Sequence, residues 1–237
     1  MEDNLFIMRH GHTLYKQGKV SIDEACDIVD EAKPAIRQSA IEIDGIFKGK
    51  GLEIQSTPYG RGLATAKEVY AQLQELGSKP GDIKINNELE EIRNFDYRIM
   101  HALARGGVLD LDGDKYLFDI NNTNPRQLSE VQFFRQDEMH DINYSKKLPT
   151  ELRRLIANME TCKSAEYRLT KVLSKIEKES VLVTHEGPTG MYAMALTENK
   201  DSYLDRAGFV QLEKVKDLWY PKYINKIGFD AYAGKDM

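Results

Sequence analysis

The chain of 237 residues carries 33 Lys plus Arg against 38 Asp plus Glu, a formal charge of −5, and 41% hydrophobic residues. That length suits one domain, or a core domain with one sizeable insertion, and the acidic balance argues against a protein that grips nucleic acid through phosphate contacts. No apolar segment reaches membrane-span length, no basic leader precedes the first apolar run, and Cys26 and Cys162 are too few for a disulfide framework, so a reduced cytoplasmic protein with no membrane or nucleic-acid partner is expected.

The first apolar run, Leu5, Phe6, Ile7 and Met8, is continuous, as in a strand covered on both faces of a parallel sheet. A second strand is predicted at "LEIQS", 52–56, followed at once by a helix in "GRGLATAKEVYAQLQELG". There Leu63, Ala66, Val69, Tyr70 and Leu73 follow helical steps and Gly77 is a natural stop. "DIKIN", 82–86, reads as a third strand and "VLVT", 181–184, as a fourth. Two helical stripes precede that fourth strand: Leu152, Leu155, Ile156 and Met159, with Thr150 suited to an N-cap, then Leu169, Val172, Leu173 and Ile176. Strands alternating with helices predict an α/β fold, a three-layer α/β/α sandwich with a mostly parallel central sheet.

Residues 95–149 fit this alternation poorly. They read as an inserted lid segment over the active site of a single domain spanning 1–237, roofing the pocket together with residues 17–50. Within the insertion Asp110, Asp112 and Asp114 have calcium-loop spacing, but Lys115 and Asn121 stand where glycine and glutamate belong, and a hairpin is expected instead. The tail carries Tyr203, Phe209, Trp219, Tyr220, Tyr223, Phe229 and Tyr232, which suit core packing or a subunit contact, so a homodimer stays open.

The polar motifs have a shared position. "RHGHT" follows the first predicted strand, "STPYGR" the second, "NELEE" the third and "HEG" the fourth. A histidine pair beside an arginine could hold a metal, bind an anion or attack an electrophile. Ligands of open α/β sheets bind outside the carboxyl ends of the strands, so parallel strands would gather Arg9, His10, Arg61, Glu91 and His185 on one rim. Arg61 also opens its helix, where free backbone N–H groups favour an anion. Two arginines and two histidines converging there form a phosphate site.

At these residues the chain resembles the histidine phosphatase superfamily, which includes the cofactor-dependent phosphoglycerate mutases. "MRHGHT" matches the Arg-His-Gly-x-Thr motif, "STPYGRGLATA" the arginine-bearing stretch, "LEEI" the acid-bearing segment and "VLVTHEG" the second histidine after a late strand. The order and spacing of these short matches span residues 5–190 and are specific only jointly. The resemblance implies a phosphomonoester hydrolase acting on a small phosphorylated metabolite, with His10 as a transiently phosphorylated nucleophile. Arg9, Arg61 and His185 would hold the phosphoryl group, with Thr13 as an added hydroxyl donor. Glu91 would donate the proton to the leaving oxygen, with Glu186 of "HEG" as the alternative donor, placed as in the acid-phosphatase branch. No cofactor or metal is implied.

Lys16 stands where phosphoglycerate-handling members commonly carry asparagine, which weighs against mutase-type phosphoryl transfer, the first alternative. Arg93, Arg98, Arg105, Lys16 and Lys19 are candidates for a second anionic group of the substrate. The second alternative is a metal-dependent hydrolase built on the pair His10 and His12. Beyond these only His101, His140 and His185 remain in the chain, thin for a multi-metal cluster. A non-catalytic phosphate-binding module is the third.

Overall fold

The continuous apolar run forms β1, Asn4–Arg9, buried from Leu5 onward. Its side chains alternate between two cores: Phe6 and Met8 join one apolar cluster, Leu5 and Ile7 the other. The computed structural model describes residues 4–13, 28–47, 51–91, 93, 107–111, 114–118, 150, 154, 157–158, 160–197 and 204–225. After β1 come α1 (Lys33–Phe47), β2 (Glu53–Ser56), α2 (Gly60–Glu75), β3 (Ile83–Ile85), β4 (Gly107–Leu111) and β5 (Asp114–Phe118). They are followed by α3 (Cys162–Leu173), β6 (Ser180–Thr184), α4 (Glu186–Thr197), β7 (Phe209–Val215) and β8 (Leu218–Ile224).

The main sheet has the order β3-β2-β6-β1-β7-β8. The first four of these strands run parallel, and β7 and β8 extend the sheet antiparallel beyond β1. On one face α1 and α2 bury Ile36, Ala40, Ile43, Phe47, Ala66, Val69 and Leu73 against β1, β2 and β6. On the other, Leu169, Val172 and Leu173 of α3 and Ala193 of α4 pack against Leu5, Ile7 and Leu182. Helices on both faces of a mostly parallel sheet make the expected three layers. Phe6 meets Phe47 and Phe209 edge-on at centroid distances of 5.2 and 5.1 Å, pairs that add about 0.5–1.5 kcal/mol each beyond area burial.

The strands at 52–56, 82–86 and 181–184 form as β2, β3 and β6, and α2 stops at Gly77, whose φ of 91° suits glycine. The stripe of Leu169, Val172 and Leu173 is buried in α3, whereas Leu152, Leu155, Ile156 and Met159 lie outside the described residues. The reading of 17–50 as a pocket roof is corrected in its second half. Residues 33–47 form α1, whose Ile36, Ala40, Ile43 and Phe47 are fully buried under the sheet. Inside the expected insertion, β4 and β5 pair as a separate antiparallel hairpin with Asp110 opposite Lys115; the remainder of 95–149 lies outside the described residues.

The aromatic tail contains two strands that its composition did not announce. Phe209 is buried on β7, while Tyr220 and Tyr223 are exposed on β8. Tyr203, Phe229 and Tyr232 lie outside the described residues. Among the described residues no helix is long and apolar enough to cross a membrane.

Candidate active site

Parallel order places the C-terminal ends of β1, β2, β3 and β6 on one rim. Their register puts Arg9 opposite Thr184 and Ser56 opposite Val183. The next residues, His10, Thr57, Asn86 and His185, therefore leave the sheet together. The backbone N–H of His10 donates to the Thr184 carbonyl at 2.9 Å and that of Thr57 to Val183 at 3.0 Å. The antiparallel β7 begins at the same rim, where Arg9 N donates to Gly208 O and Ala207 N to Arg9 O.

His10 and His185 meet edge-on with ring centroids 5.2 Å apart. His10 Nδ1 lies 2.7 Å from the Gly11 carbonyl oxygen. A carbonyl can only accept, so Nδ1 carries the proton and Nε2 keeps its lone pair. Burial first, then Arg61, His185 and Arg9, hold the His10 imidazole well below its usual titration range, against a weaker opposing pull from that carbonyl. Gly11 itself is fixed by its N–H donating to Thr65 Oγ1 at 2.9 Å, and Thr65 in turn donates to the Arg61 carbonyl at 2.8 Å.

Arg61 enters from the first turn of α2. Its Nη2 donates to His185 Nδ1 at 3.0 Å. Since a guanidinium has no acceptor, His185 is protonated at Nε2 when neutral, and that nitrogen lies 3.2 Å from Thr57 Oγ1. His185 is fully buried, and burial, Arg61, Arg9 and Arg168, in that order, push it well below its usual range. Arg9 is buried, with Nη1 donating to the Leu204 carbonyl at 2.8 Å and Nη2 to Glu186 Oε2 at 2.6 Å.

Glu91 lies beyond β3 and a 3-10 turn at Asn87–Leu89. Its Oε2 accepts the Gly187 N–H at 3.4 Å, at the start of α4 just past His185. Both carboxylates weighed as proton donors therefore reach the rim, Glu91 at a helix N-terminus and Glu186 on Arg9. Thr13 is buried and its backbone bridges to Ile28; among the described residues no hydrogen bond joins its hydroxyl to the four basic groups. His12 turns its Nδ1 to the Arg206 guanidinium, so that nitrogen faces a cation. Among the described residues no cluster of three or more His, Cys, Asp and Glu suited to a metal is found, and His101 and His140 lie outside them. Arg93, a candidate for a second anionic group, pairs with Glu88 at 3.5 Å and Glu90 at 3.3 Å. Arg98, Arg105, Lys16 and Lys19 lie outside the described residues.

The sequence reading missed Thr65, Thr57, Arg206 and the pair Arg168 and Glu160. Thr65 had a signal: it stands four residues after Arg61, on the same face of α2.

No family model matches the sequence, and no curated protein matches it. Solved structures do match the fold. A protein titled mycobacterial hydrolase 1 shares 16% identity over 94% of this chain and 98% of its own, with a TM-score of 0.54. Mycobacterial glucosyl-3-phosphoglycerate phosphatase in complex with VO3 shares 16% over 94% and 99%, at 0.53. Phosphoglycerate mutase from Bacillus anthracis shares 14% over 93% and 92%, at 0.55. Each match covers nearly the whole of both chains, so the agreement extends over the layered sheet, and the chain has the fold of these hydrolase, phosphatase and phosphoglycerate mutase structures.

Proposed function

We propose that the protein is a phosphomonoester hydrolase that works through a phosphohistidine at His10 on a small phosphorylated metabolite. One observation carries the reading. The His10 proton is committed to the Gly11 carbonyl at 2.7 Å, so the Nε2 lone pair is free to attack beside Arg9, Arg61 and His185. Phosphoryl transfer needs chiefly positioning and charge stabilisation, and arginine grips phosphate oxygens bidentately without losing its charge. That the mycobacterial glucosyl-3-phosphoglycerate phosphatase shares this fold supports the same chemistry.

In the first step Nε2 attacks phosphorus, the P–O bond to the leaving group breaks, and the leaving oxygen takes the Glu91 proton. In the second, water attacks the phosphohistidine and gives a proton to the Glu91 carboxylate as the N–P bond breaks. Phosphate leaves and the starting state returns. Glu91 is the better-placed donor because the Glu186 oxygen is engaged by Arg9 at 2.6 Å; protonating it would break that ion pair. His185 holds Arg61 through Nδ1, so its contribution runs through the arginine.

The test is rapid mixing with labelled phosphomonoester and an alkaline quench, which preserves phosphohistidine. Labelled wild-type protein and unlabelled His10→Ala are expected, with turnover that survives a chelator. Label persisting in His10→Ala rules the reading out, and turnover lost to the chelator returns the metal alternative.

A further inference from the structure

Glu91 sits on a short loop, and a loop alone does not hold a proton donor to the tolerance that acid catalysis needs. The loop is pinned at its start: the Asn86 N–H donates to the Ser56 carbonyl at 2.8 Å and the Asn86 side chain accepts the Glu88 N–H at 3.0 Å. It is pinned in the middle, where Leu89 is fully buried and its carbonyl accepts Thr184 Oγ1 at 2.5 Å. Its far end, which carries Glu91, is held by a side chain from another layer.

That side chain is Arg168 of α3, 6% exposed. Its Nε and Nη2 grip Glu160 bidentately at 3.0 and 2.7 Å. Its remaining N–H groups point at the backbone carbonyls of Glu88, Glu90 at 3.2 Å and Glu91 at 3.3 Å. The acceptors match the N–H groups of a guanidinium one for one. Glu160 is tied to the same loop independently, because its carboxylate accepts the Arg93 N–H at 3.0 Å and its own N–H donates to the Arg93 carbonyl at 2.9 Å. A planar fork satisfies such a set; an ammonium cannot.

We propose that Arg168, oriented by Glu160, is a positioning residue that fixes the Glu88, Glu90 and Glu91 backbone and thereby aims the Glu91 carboxyl at the leaving oxygen. Arg168 has its N–H groups all taken up by Glu160 and the loop carbonyls, which leaves none to grip a phosphoryl group. Its effect on the reaction passes through Glu91, and so rests on the donor assignment made above. Three carbonyls converging on one buried guanidinium make the loop's path depend on that group more than on its own turn geometry.

The experiment compares an alkyl phosphate with p-nitrophenyl phosphate, whose leaving group needs little proton donation. Glu91→Gln, Arg168→Lys, the double variant and Glu160→Gln are assayed for kcat/KM on both esters. Arg168→Lys should lose at least about tenfold more on the alkyl than on the aryl ester, while the aryl ester still labels His10. The double variant should add no further selective loss to Glu91→Gln, because both changes act on one proton. Glu160→Gln should show the same selectivity in weaker form, and it carries the test if Arg168→Lys does not fold. Selective loss in Glu91→Gln with a uniform loss, or none, in both Arg168→Lys and Glu160→Gln overturns the positioning role alone. A Glu91→Gln variant without selective loss overturns the donor assignment and this proposal with it.

Discussion

The Arg9 guanidinium donates to the Glu186 carboxylate at 2.6 Å while its other terminal nitrogen is held by the Leu204 carbonyl. One of the site's two arginines is thus part-neutralised before any substrate arrives. An incoming phosphate must share Nη2 with Glu186 or displace it. Glu186→Gln should therefore tighten inorganic phosphate as a product inhibitor, by about tenfold for one charge-assisted contact regained. It should cost stability, by up to about 3 kcal/mol, since it leaves a buried arginine without its counter-charge. Inhibition constants and urea melts on the same preparation check both signs. Unchanged phosphate inhibition would mean that the pair opens freely.

The two histidines make stability depend on pH. Burial, reinforced by the neighbouring arginines, holds both His10 and His185 well below the usual imidazole range. In the unfolded chain each takes up a proton as pH falls through about 6.5. The unfolded state then binds more protons than the folded one, so stability falls as pH drops below that point and is untouched by these groups above it. Two such groups give a slope of up to about 2.7 kcal/mol per pH unit until the folded imidazoles themselves protonate. Urea unfolding at pH 7.5 and 5.5 should show the loss, and a variant combining His10→Asn with His185→Gln should flatten it. An equally steep loss in that variant would assign the effect to carboxylates.

Glycine at position 62 is a steric requirement of the rim. A Cβ there would lie 2.1 Å from Thr57 Cγ2, and Thr57 is fully buried beside His185 Nε2. At Gly45, on the exposed side of α1, a Cβ would meet nothing within 4 Å. Gly45→Ala should stabilise by about 0.5–1 kcal/mol through helix propensity. Gly62→Ala gains the same propensity but must push Thr57, a clash costing about 1–3 kcal/mol, so it should lower both stability and kcat/KM. Thermal melts of the two variants side by side separate the effects.

The convergence was legible because parallel strands give chain order a spatial meaning: Arg9 ends β1, His10 and His185 directly follow β1 and β6, Arg61 opens the helix after β2, and the sheet puts those ends on one rim. What was missed lies where local pattern and role diverge. The steps of α1 through Ile36, Ala40, Ile43 and Phe47 are helical, but they alternate with charged residues and sit beside a segment with no pattern. The β7–β8 hairpin turns at Lys216 and Asp217, both at positive φ, where asparagine and glycine are the usual signal. Its second strand holds Pro221, opposite Leu212 at a register shift on the outer strand, a placement that proline tolerates but that argues against a strand on first reading. Arg168 could not be read at all. Its partners are mainly backbone carbonyls about 80 residues away, as the separation of 80 for Glu88 illustrates, and carbonyls leave no trace in side-chain patterns.

The contact between Arg61 and His185 decides how their separate contributions combine. Arg61 Nη2 reaches His185 Nδ1 at 3.0 Å, and the imidazole is braced from behind by Thr57 at 3.2 Å. Removing a charge-assisted contact in a dry site costs roughly 2–4 kcal/mol of transition-state stabilisation, about 30- to 1000-fold in rate. Arg61→Ala should show that loss in kcat/KM for a phosphomonoester. His185→Ala should show a comparable loss, because it frees Arg61 to swing out of line. If the histidine acts through the arginine, the double variant should be little worse than Arg61→Ala alone, a coupling close to the whole loss of His185→Ala, about 2–4 kcal/mol. His185→Gln gives the sharper test, since its amide oxygen can accept from Arg61 and its amide nitrogen can donate to Thr57. It should recover much of the activity lost in His185→Ala. Additive single losses with no recovery by glutamine would mean that His185 binds the phosphoryl group directly rather than through Arg61.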